Sequence, residues 1–210
     1  MNGDKNIGAK NQNIGCVIMA SGQGKRFGGN KLAASLCGRP VISYVLESAQ
    51  KVFENVAVVT THRDIQCLCA DWGVEVILHD SVYRSDTVRL GVQKFAQSCD
   101  GCIFCQADQP LISAETLQKL ADVFTENRDK IVRLCYGGVP CSPTIFPKDT
   151  FGALCSLPQG KGGNVVVKDN PDRVMYVTAA DIGETLDIDT KEDLAEIEKL
   201  IINKNTGVQP

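Results

Sequence analysis

A segment with four glycines, and with Arg26 and Lys31 among its cations, follows directly on an apolar run, and this combination is typical of a phosphate-binding loop. The apolar run covers residues 16–20, and the polar segment after it contains Gly22, Gly24, Arg26, Gly28, Gly29 and Lys31. Glycine allows positive φ angles and close approach of the backbone to a ligand. Successive N–H groups in such a loop form an anion-binding concavity, and the cations can meet phosphate oxygens. The segment therefore predicts a phosphate site at the end of a strand.

The spacing of these residues excludes two well-known phosphate loops. A Walker loop has Ser or Thr directly after its lysine, whereas Lys31 is followed by Leu32. A dinucleotide fingerprint has the spacing G-x-G-x-x-G, whereas three residues separate Gly24 from Gly28. The remaining alternative is a mobile glycine loop with solvated charges, and the preceding strand and both cations argue against it.

Carboxylates at two distant places in the chain are candidates for a metal site. Asp108 follows the apolar run 102–105, and Asp187 and Asp189 lie two positions apart near the end of the chain. Mg²⁺ is usually bound by one or two carboxylates together with phosphates and water, and residues two apart on an extended segment share a face. Each site also has a structural interpretation, because Asp108 can stabilise the turn before Pro110 and Asp189 can cap the last helix.

Two hydroxyl side chains mark the predicted start of a helix in the middle of the chain. Ser85 and Thr87 stand where unpaired backbone N–H groups are expected. They can therefore contribute to a polar binding site. The alternative for Ser85 is a plain N-cap.

Ten cysteines are a high count for a chain of 210 residues. Most of them lie in apolar runs, where free cysteine is commonly buried, and no signal sequence is recognisable. We therefore expect reduced thiols in a cytoplasmic protein rather than a disulfide framework. Cys99, Cys102 and Cys105 match part of an iron–sulfur pattern, but the fourth cysteine of that pattern is missing, so core packing is favoured. His62 and His79 show no zinc-type spacing.

Composition limits the kinds of partner. Hydrophobic residues make up 43% of the chain, charged residues make up 22%, and the net charge is −3. This balance argues against a nucleic-acid surface or an anionic-membrane surface, and no apolar run reaches the length of a membrane span. Any anion-binding site must therefore consist of a few neighbouring residues and backbone N–H groups.

The elements that position these residues alternate between apolar runs and amphipathic stretches. We expect strands at residues 16–20, 55–60, 74–78, 101–105, 131–135 and 174–178. Strands that alternate with helices predict an α/β fold with a mostly parallel sheet. We expect one domain at residues 14–204, flexible segments at 1–13 and 205–210, and an inserted substrate region at 136–170, where Pro and Gly break the alternation.

Local signals predict where several helices begin. Pro40 is expected at the first position of a helix. Asp64, Ser113 and Thr190 are expected to act as N-caps. Ser85, with the acidic residue after it, is expected to begin the helix that carries Thr87.

Residues 18–31 resemble the L-A-A-G-x-[SG]-x-R-[MF]-G-x-x-K signature of nucleotidyltransferases with a Rossmann-like fold, with Ser21 replacing the second Ala. The longer match is to the molybdenum cofactor cytidylyltransferase and guanylyltransferase branch, and it covers most of residues 16–200. The resemblance implies a three-layer α/β/α fold in which the glycine loop wraps a triphosphate. It places nucleotide binding and phosphate contacts on Ala20, Ser21, Gly22, Gly24, Arg26 and Lys31.

Further motifs support this resemblance and assign the metal. Residues 106–111 resemble G-D-Q-P-[LM], and residues 187–194 resemble D-I-D-T-P-E-D-[LY] with Lys191 in place of Pro. The family pattern implies Mg²⁺ on Asp108 and Asp189, with Asp187 as the other candidate for the second ligand. Lys31, Arg26 and Asp108 then become the catalytic residues.

Three more motifs concern the nucleotide and its acceptor. Residues 83–91 resemble G-x-S-x-S-[LV]-x-x-G, which implies that Ser85 and Thr87 contact the nucleotide. Residues 137–146 resemble G-x-x-G-x-P-x-[LI]-[FI], and residues 159–164 resemble G-D-x-G-[AG]-R. These imply acceptor contacts from Gly138, Pro143 and Lys161. Gly160 replaces Asp and Asn164 replaces Arg, which leaves the identity of the acceptor open.

The reaction implied by the resemblance is transfer of a nucleoside monophosphate from a triphosphate to an acceptor phosphate, with release of pyrophosphate. CTP is favoured over GTP as the donor, and a molybdopterin-type compound is the favoured acceptor. A sugar-phosphate or polyol-phosphate nucleotidyltransferase is the first alternative. A non-catalytic nucleotide-binding accessory protein for molybdoenzyme maturation is the second. The resemblance also suggests a molybdoenzyme or its chaperone as a protein partner.

Overall fold

The computed structural model describes residues 10–206. Within them, the strands are β1 (Asn11–Met19), β2 (Ser35–Leu36), β3 (Arg39–Pro40), β4 (Phe53–Thr60), β5 (Glu75–Leu78), β6 (Gly101–Gln106), β7 (Ile131–Tyr136), β8 (Val139–Pro147) and β9 (Val174–Thr178). The helices are α1 (Val41–Val52), α2 (Arg63–Ala70), α3 (Arg84–Phe95), α4 (Ala114–Glu126), α5 (Phe151–Cys155), α6 (Asn164–Asp169) and α7 (Lys191–Thr206).

Seven strands form the central sheet in the order β5-β4-β1-β6-β8-β7-β9. β1 lies at its centre and pairs in parallel with both β4 and β6, so that Val17 stands opposite Ala57 and Phe104. β8 is antiparallel to its neighbours β6 and β7, while β9 is parallel to β7. Short β2 and β3 form a separate hairpin. The sheet is thus mostly parallel, and the predicted sheet class is confirmed.

Alternate side chains of the strands point into two separate hydrophobic cores. One core contains Ile18 and Ile103 and is covered by α1, α2, α4 and α7. The other contains Val17 and Phe104 and is covered by α3, α5 and α6. These two helical layers on either side of the sheet give the predicted three-layer α/β/α architecture.

The segment at residues 136–170 differs from its prediction as an inserted region that breaks the alternation. β8 lies within it and fills a position inside the sheet, between β6 and β7. Its prolines argued against a strand in the sequence, because proline has no backbone N–H to donate to the hydrogen-bond ladder of a sheet. Pro140 lies next to the hairpin turn and Pro147 lies in the terminal pair with Gly101.

The boundaries of the domain also differ from the prediction. β1 begins at Asn11, because Asn11 pairs with Phe53 of β4, so residues 11–13 belong to the fold. At the other end, α7 continues to Thr206. The rest of the two predicted flexible segments, residues 1–9 and 207–210, lies outside the described residues.

The predicted helix starts are partly right. The Ser113 hydroxyl accepts from the Thr116 N–H, which confirms the N-cap of α4. The Thr190 hydroxyl accepts from the Asp193 N–H while the Asp193 carboxylate accepts from the Thr190 N–H, which is a capping box. Pro40, by contrast, precedes the first helical residue of α1, and α2 begins at Arg63, one residue before the expected cap Asp64. α3 likewise begins at Arg84 rather than Ser85.

No helix in the described part of the chain combines the length and the apolar composition that a membrane span requires.

Candidate functional site

The glycine loop and Asp108 lie side by side because β1 and β6 are neighbouring parallel strands. The loop continues from β1, where the Ala20 N–H donates to the Val59 carbonyl at 2.8 Å. Asp108 follows β6, where the Ala107 N–H donates to the Met19 carbonyl at 3.2 Å. The carboxyl ends of the central strands therefore bring the predicted phosphate loop and the predicted metal ligand together.

The glycine loop folds back on itself at Gly24. This residue has φ +56°, and the Phe27 N–H and Gly28 N–H both donate to its carbonyl, at 3.0 and 3.2 Å. A Cβ atom on Gly24 would lie 2.4 Å from the Gly29 carbonyl oxygen, so this position requires glycine. Phe27 is buried and anchors the turn, whereas Gly22 has open space beside it. The loop is therefore an ordered turn whose first glycine is open to a ligand.

Lys31 connects the loop to both acidic segments. Its Nζ lies 2.6 Å from Asp108 Oδ2 and 2.9 Å from Asp189 Oδ1, and its side chain is only 8% exposed. Arg26 Nη2 lies 2.6 Å from the other oxygen of Asp189. Burial alone lowers the pKa of Lys31, but the hydrogen bonds and charges of the two aspartates outweigh it and raise that pKa. Lys31 is therefore a charged ammonium at neutral pH.

The two acidic segments are fixed to each other by the backbone. The Ile188 N–H donates to the Asp108 carbonyl at 2.9 Å, so the residues on either side of Ile188 flank Asp108. The hydrogen bond from Lys31 and the charges of Lys31 and Arg26 lower the pKa of Asp189. Desolvation, followed by the negative charges of Asp108 and Asp189, raises the pKa of Asp187. Both predicted candidates for the second carboxylate thus lie beside Asp108, and Asp189 makes the ion pairs.

A buried carboxylate holds the segment that leads to these aspartates. Glu184 is 3% exposed and accepts from the Ser113 N–H at 3.2 Å, the Thr116 hydroxyl at 2.9 Å and the Ala180 N–H at 2.8 Å. The Ser113 hydroxyl donates to the same carboxylate. Glu184 therefore joins the start of α4 to the backbone that precedes Asp189.

We expect Glu184→Ala to reduce the free energy of unfolding by about 3 kcal/mol, because several buried donors lose their acceptor at once. Urea unfolding followed by circular dichroism measures this change. Glu115→Ala is the matched control, since Glu115 lies in the first turn of the same helix but is exposed, and its effect should stay within about 0.5 kcal/mol. Equal effects of the two substitutions would contradict the role of Glu184.

A cavity of about 290 Å³ lies between the glycine loop and α3. Its lining includes Ser21, Gly22, Thr87 and Asp108. The Thr87 hydroxyl donates to Ser21 Oγ at 3.0 Å, which ties α3 to the loop. We call this the donor cavity. It brings together the predicted loop, the predicted hydroxyl of α3 and the predicted carboxylate.

His62 and His79 contact the glycine loop, and no pattern in the sequence predicted these contacts. His79 Nε2 lies 3.0 Å from Ser21 Oγ and 3.4 Å from Thr87 Oγ1. Burial lowers the pKa of His79 despite the opposing charge of nearby Asp86, so its ring is neutral at pH 7. His62 Nε2 lies 2.9 Å from the Gly22 carbonyl. Such contacts arise from strand order, since His62 follows β4, which lies next to β1, and His79 follows β5, the next strand beyond β4.

Ser85 has a different environment from that expected of a nucleotide contact. Its hydroxyl accepts from the Gly160 N–H at 3.3 Å, so it joins the start of α3 to the loop at residues 160–164. Gly160 has φ +75°, a conformation that side chains other than Gly rarely adopt. The Gly in place of the family's Asp therefore fits this backbone.

A second cavity, of about 380 Å³, lies on the face of the sheet covered by α3 and α6. We call it the basic cavity, because four cations line it: Arg84, Arg133, Lys161 and Lys168. Phe104 and Phe146, in edge-to-face contact with ring centroids 5.9 Å apart, form part of its apolar wall. The two cavities share Met19, Arg84 and Gln106, so they meet beside the donor loop.

The predicted acceptor residues are only partly at this cavity. Lys161 lines it, as does Asn164, which replaces the family's Arg. Pro143 does not, because its neighbours Ser142 and Thr144 face the cavity and strand alternation turns Pro143 to the other side of β8. Gly138 lies in the β7–β8 turn with φ +79° and does not line the cavity.

The cysteines are free thiols, most of them in the core. All ten are free, and six of them are buried. Burial raises the pKa of Cys69 to about 11, and a hydrogen bond to Cys105 together with burial raises the pKa of Cys16. Cys99, Cys102 and Cys105 are all buried, in agreement with core packing.

Two relatives of known description match parts of this chain. The 3-deoxy-manno-octulosonate cytidylyltransferase of Bdellovibrio bacteriovorus is 33% identical over 113 residues, which cover 53% of this chain and 45% of that protein. The probable molybdenum cofactor guanylyltransferase of a Geobacillus species is 25% identical over 170 residues, which cover 80% of this chain and 87% of that protein. The chain thus spans less than half the length of the cytidylyltransferase.

Solved structures share the fold at identities below 25%. A nucleotidyl transferase from Methanothermobacter has a TM-score of 0.79 and 21% identity, covering 92% of this chain and all of that one. Rv0371c of Mycobacterium tuberculosis in complex with manganese has a TM-score of 0.71 and 20% identity, with coverages of 89% and 98%. A CMP:2-keto-3-deoxy-manno-octonic acid synthetase complexed with CTP has a TM-score of 0.74 and 16% identity, with coverages of 93% and 100%.

The family model of the MobA-like NTP transferase domain matches residues 16–174, which is most of the chain and includes the glycine loop, Asp108 and both cavities' central strands. The chain therefore belongs to the family of MobA-like NTP transferase domains.

Proposed function

We propose that this protein transfers a nucleoside monophosphate from a nucleoside triphosphate to an acceptor phosphate and releases pyrophosphate. The observation that carries the proposal is the meeting of the two cavities at Met19, Arg84 and Gln106. Asp108 also lines the donor cavity. Two substrates can therefore be held in contact, and such positioning contributes to the rate of a transfer enzyme.

The donor triphosphate binds along the glycine loop in this proposal. Backbone N–H groups from Ser21 to Gly24 face its phosphates, and the hydroxyls of Ser21 and Thr87 line the same cavity. Ser85 supports this arrangement from behind, through the loop that contains Gly160. The nucleotide-binding roles thus fall on the loop and on α3.

The carboxylates near Lys31 have the oxygen donors that a divalent cation binds, although no three acidic, His or Cys side chains of the described chain are arranged as a preformed metal site. Asp108, Asp187 and Asp189 supply hard oxygen donors, and their three negative charges exceed the two positive charges of Lys31 and Arg26. We propose Asp108 and Asp189 as the ligands of Mg²⁺. When bound, the cation supplies positive charge beside the α-phosphate. The manganese complex of the mycobacterial structure supports a divalent metal in this fold.

Lys31 and Arg26 neutralise the charge that develops on the leaving pyrophosphate. Both cations are paired with Asp189, Lys31 at 2.9 Å and Arg26 at 2.6 Å. A triphosphate offers them new oxygen partners, so they can exchange a carboxylate for phosphate without moving far. Stabilisation of charge by preorganised donors is the main catalytic contribution expected here, and no covalent intermediate is needed.

We propose CTP as the donor, favoured over GTP, and a molybdopterin-type compound as the acceptor. The cytidylyltransferase and guanylyltransferase relatives support a pyrimidine donor and a molybdenum-cofactor acceptor respectively. A molybdoenzyme or its chaperone would then receive the product, in the cytoplasm. A sugar-phosphate or polyol-phosphate acceptor is the second candidate, and the replacements at Gly160 and Asn164 beside the basic cavity favour it.

A non-catalytic nucleotide-binding role is a weaker proposal. A protein that only binds nucleotide has no need for a lysine held between two carboxylates. The cluster of Lys31, Asp108 and Asp189 therefore supports turnover rather than binding alone.

Pyrophosphate release tests these alternatives directly. The protein is incubated with Mg²⁺, each nucleoside triphosphate in turn, and molybdopterin or a panel of sugar and polyol phosphates. We expect release with CTP and molybdopterin. Release with the sugar or polyol phosphates alone would overturn the molybdopterin acceptor, and tight CTP binding without release in any combination would favour the accessory role.

A further inference from the structure

The basic cavity carries more positive charge than a single phosphate requires. Arg84, Arg133, Lys161 and Lys168 line it, and none of the described residues in its lining is acidic. A phosphate monoester has a charge of about −2 at pH 7. The cations therefore leave about two positive charges for a further anionic group.

Arg84 and Arg133 reach the cavity from different elements, α3 and β7. Arg84 also lines the donor cavity, so it marks the end where the reacting phosphate must lie. Arg133 lies on β7, which is separated from β1 by β6 and β8. Three strand steps correspond to about 14 Å between the backbones of β1 and β7. The backbone that carries Arg133 therefore lies far from Met19 of β1, which marks the place where the two cavities meet.

Arg133 is a half-buried cation without an acidic partner. Its Nε donates to the Cys141 carbonyl at 3.0 Å, and no carboxylate of the described chain lies within ion-pair distance of its guanidinium. Arg173, which has a side chain 27% exposed, is by contrast paired with Asp149 at 2.8 Å. Charged groups that leave water usually have a partner. The Ser142 and Thr144 side chains line the same end of the cavity and add hydrogen-bonding groups for a ligand.

We infer that the acceptor carries a second anionic group, distant from its reacting phosphate, and that Arg133 binds this group. The inference rests on the proposed function for the identity of the site as an acceptor site, and it favours the second candidate acceptor, a sugar or polyol phosphate that carries such a second group. The second group is an oxyanion such as a carboxylate, sulfate or second phosphate, because a guanidinium binds such groups through two parallel N–H donors. Arg84 holds the reacting phosphate next to the donor. Arg133 discriminates between acceptors by binding the anionic group at the other end of the acceptor molecule.

A matched pair of phosphate esters tests the inference. Gluconate 6-phosphate and glucitol 6-phosphate share a six-carbon open chain and differ in a carboxylate at the far end. Their binding to the full-length protein is measured by isothermal titration calorimetry, with and without Mg²⁺ and a non-hydrolysable CTP analogue. We expect gluconate 6-phosphate to bind about tenfold more tightly, and Arg133→Gln to remove this difference.

Two further variants test whether the difference between the two esters depends specifically on Arg133. Lys168→Gln removes one charge from the same cavity but leaves Arg133, so it should weaken both ligands alike. Arg133→Lys keeps the charge without the paired donors and should retain part of the difference, and thermal unfolding shows whether each variant is folded.

Equal binding of the two esters, no binding of either at about 1 mM, or a difference that persists in Arg133→Gln would overturn the inference. Because binding is measured without turnover, an inactive protein that discriminates between the esters would contradict the proposed transfer reaction and leave the role of Arg133 standing.

Discussion

Lys31→Ala is expected to lower kcat for pyrophosphate release by about 10³-fold, or about 4 kcal/mol of transition-state stabilisation. Its Nζ is the charged group that links the glycine loop to Asp108 and Asp189, at 2.6 and 2.9 Å. Because the raised pKa keeps Lys31 charged at neutral pH, its removal takes away a full positive charge from the triphosphate site. The rate is measured at saturating nucleotide, so that weaker binding is separated from slower transfer.

Lys25→Ala is the matched control for this experiment. Lys25 belongs to the same loop and carries the same charge, but it is exposed. We expect it to alter the KM for nucleotide slightly and to leave kcat near normal. Loss of Lys31 also leaves Asp108 without its ion pair, while Asp189 keeps Arg26, so thermal unfolding must show that the variant is folded. A folded Lys31→Ala protein with near-normal kcat would remove Lys31 from the mechanism.

The sequence predicted the donor half of the site because its signals are local. Glycines, Arg26 and Lys31 lie within a few residues of one another, and the apolar run before them places the loop at a strand end. The nearness of Asp108 followed from the parallel sheet alone, since strand ends share one edge. What the pattern did not reveal is that Lys31 bridges both aspartates, because that contact depends on how residues 186–190 return to β6.

The acceptor half of the site was harder to predict because it depends on β8, a strand that the sequence pattern did not indicate. Prolines in β8 indicated an inserted loop, and without that strand the alternation that points Ser142 and Thr144 into the cavity could not be applied. Arg133 gave no signal either, since an arginine in an apolar strand has many explanations. The motif-based choice of Gly138 and Pro143 thus selected residues beside the cavity instead of the side chains that line it.

The sequence also did not predict the residues that support the site from distant positions in the chain. His79 and Glu184 have no neighbours in sequence that suggest a role, yet one contacts Ser21 and the other ties α4 to the segment before Asp189. Such residues become visible only when strand order and helix packing are known, because their partners lie 58 and 71 positions away.

The second large effect is expected at Asp108. Asp108→Asn keeps the shape of the side chain but loses the charge that faces Lys31 at 2.6 Å and that we propose to bind Mg²⁺. Since Lys31 retains Asp189 at 2.9 Å, the ammonium stays paired and the fold should be preserved. We expect kcat to fall by about 10³-fold, and the Mg²⁺ concentration for half-maximal rate to rise.

Titration of Mg²⁺ and Mn²⁺ in the pyrophosphate assay measures both changes. Asp122→Asn is the control, because Asp122 is an exposed carboxylate on α4, and it should behave like the unmodified protein. In the double variant Lys31→Ala with Asp108→Asn, the two losses should not add, because the paired groups act as one unit. A folded Asp108→Asn protein with normal turnover and an unchanged Mg²⁺ requirement would exclude Asp108 as a metal ligand and return it to the structural role of a turn before Pro110.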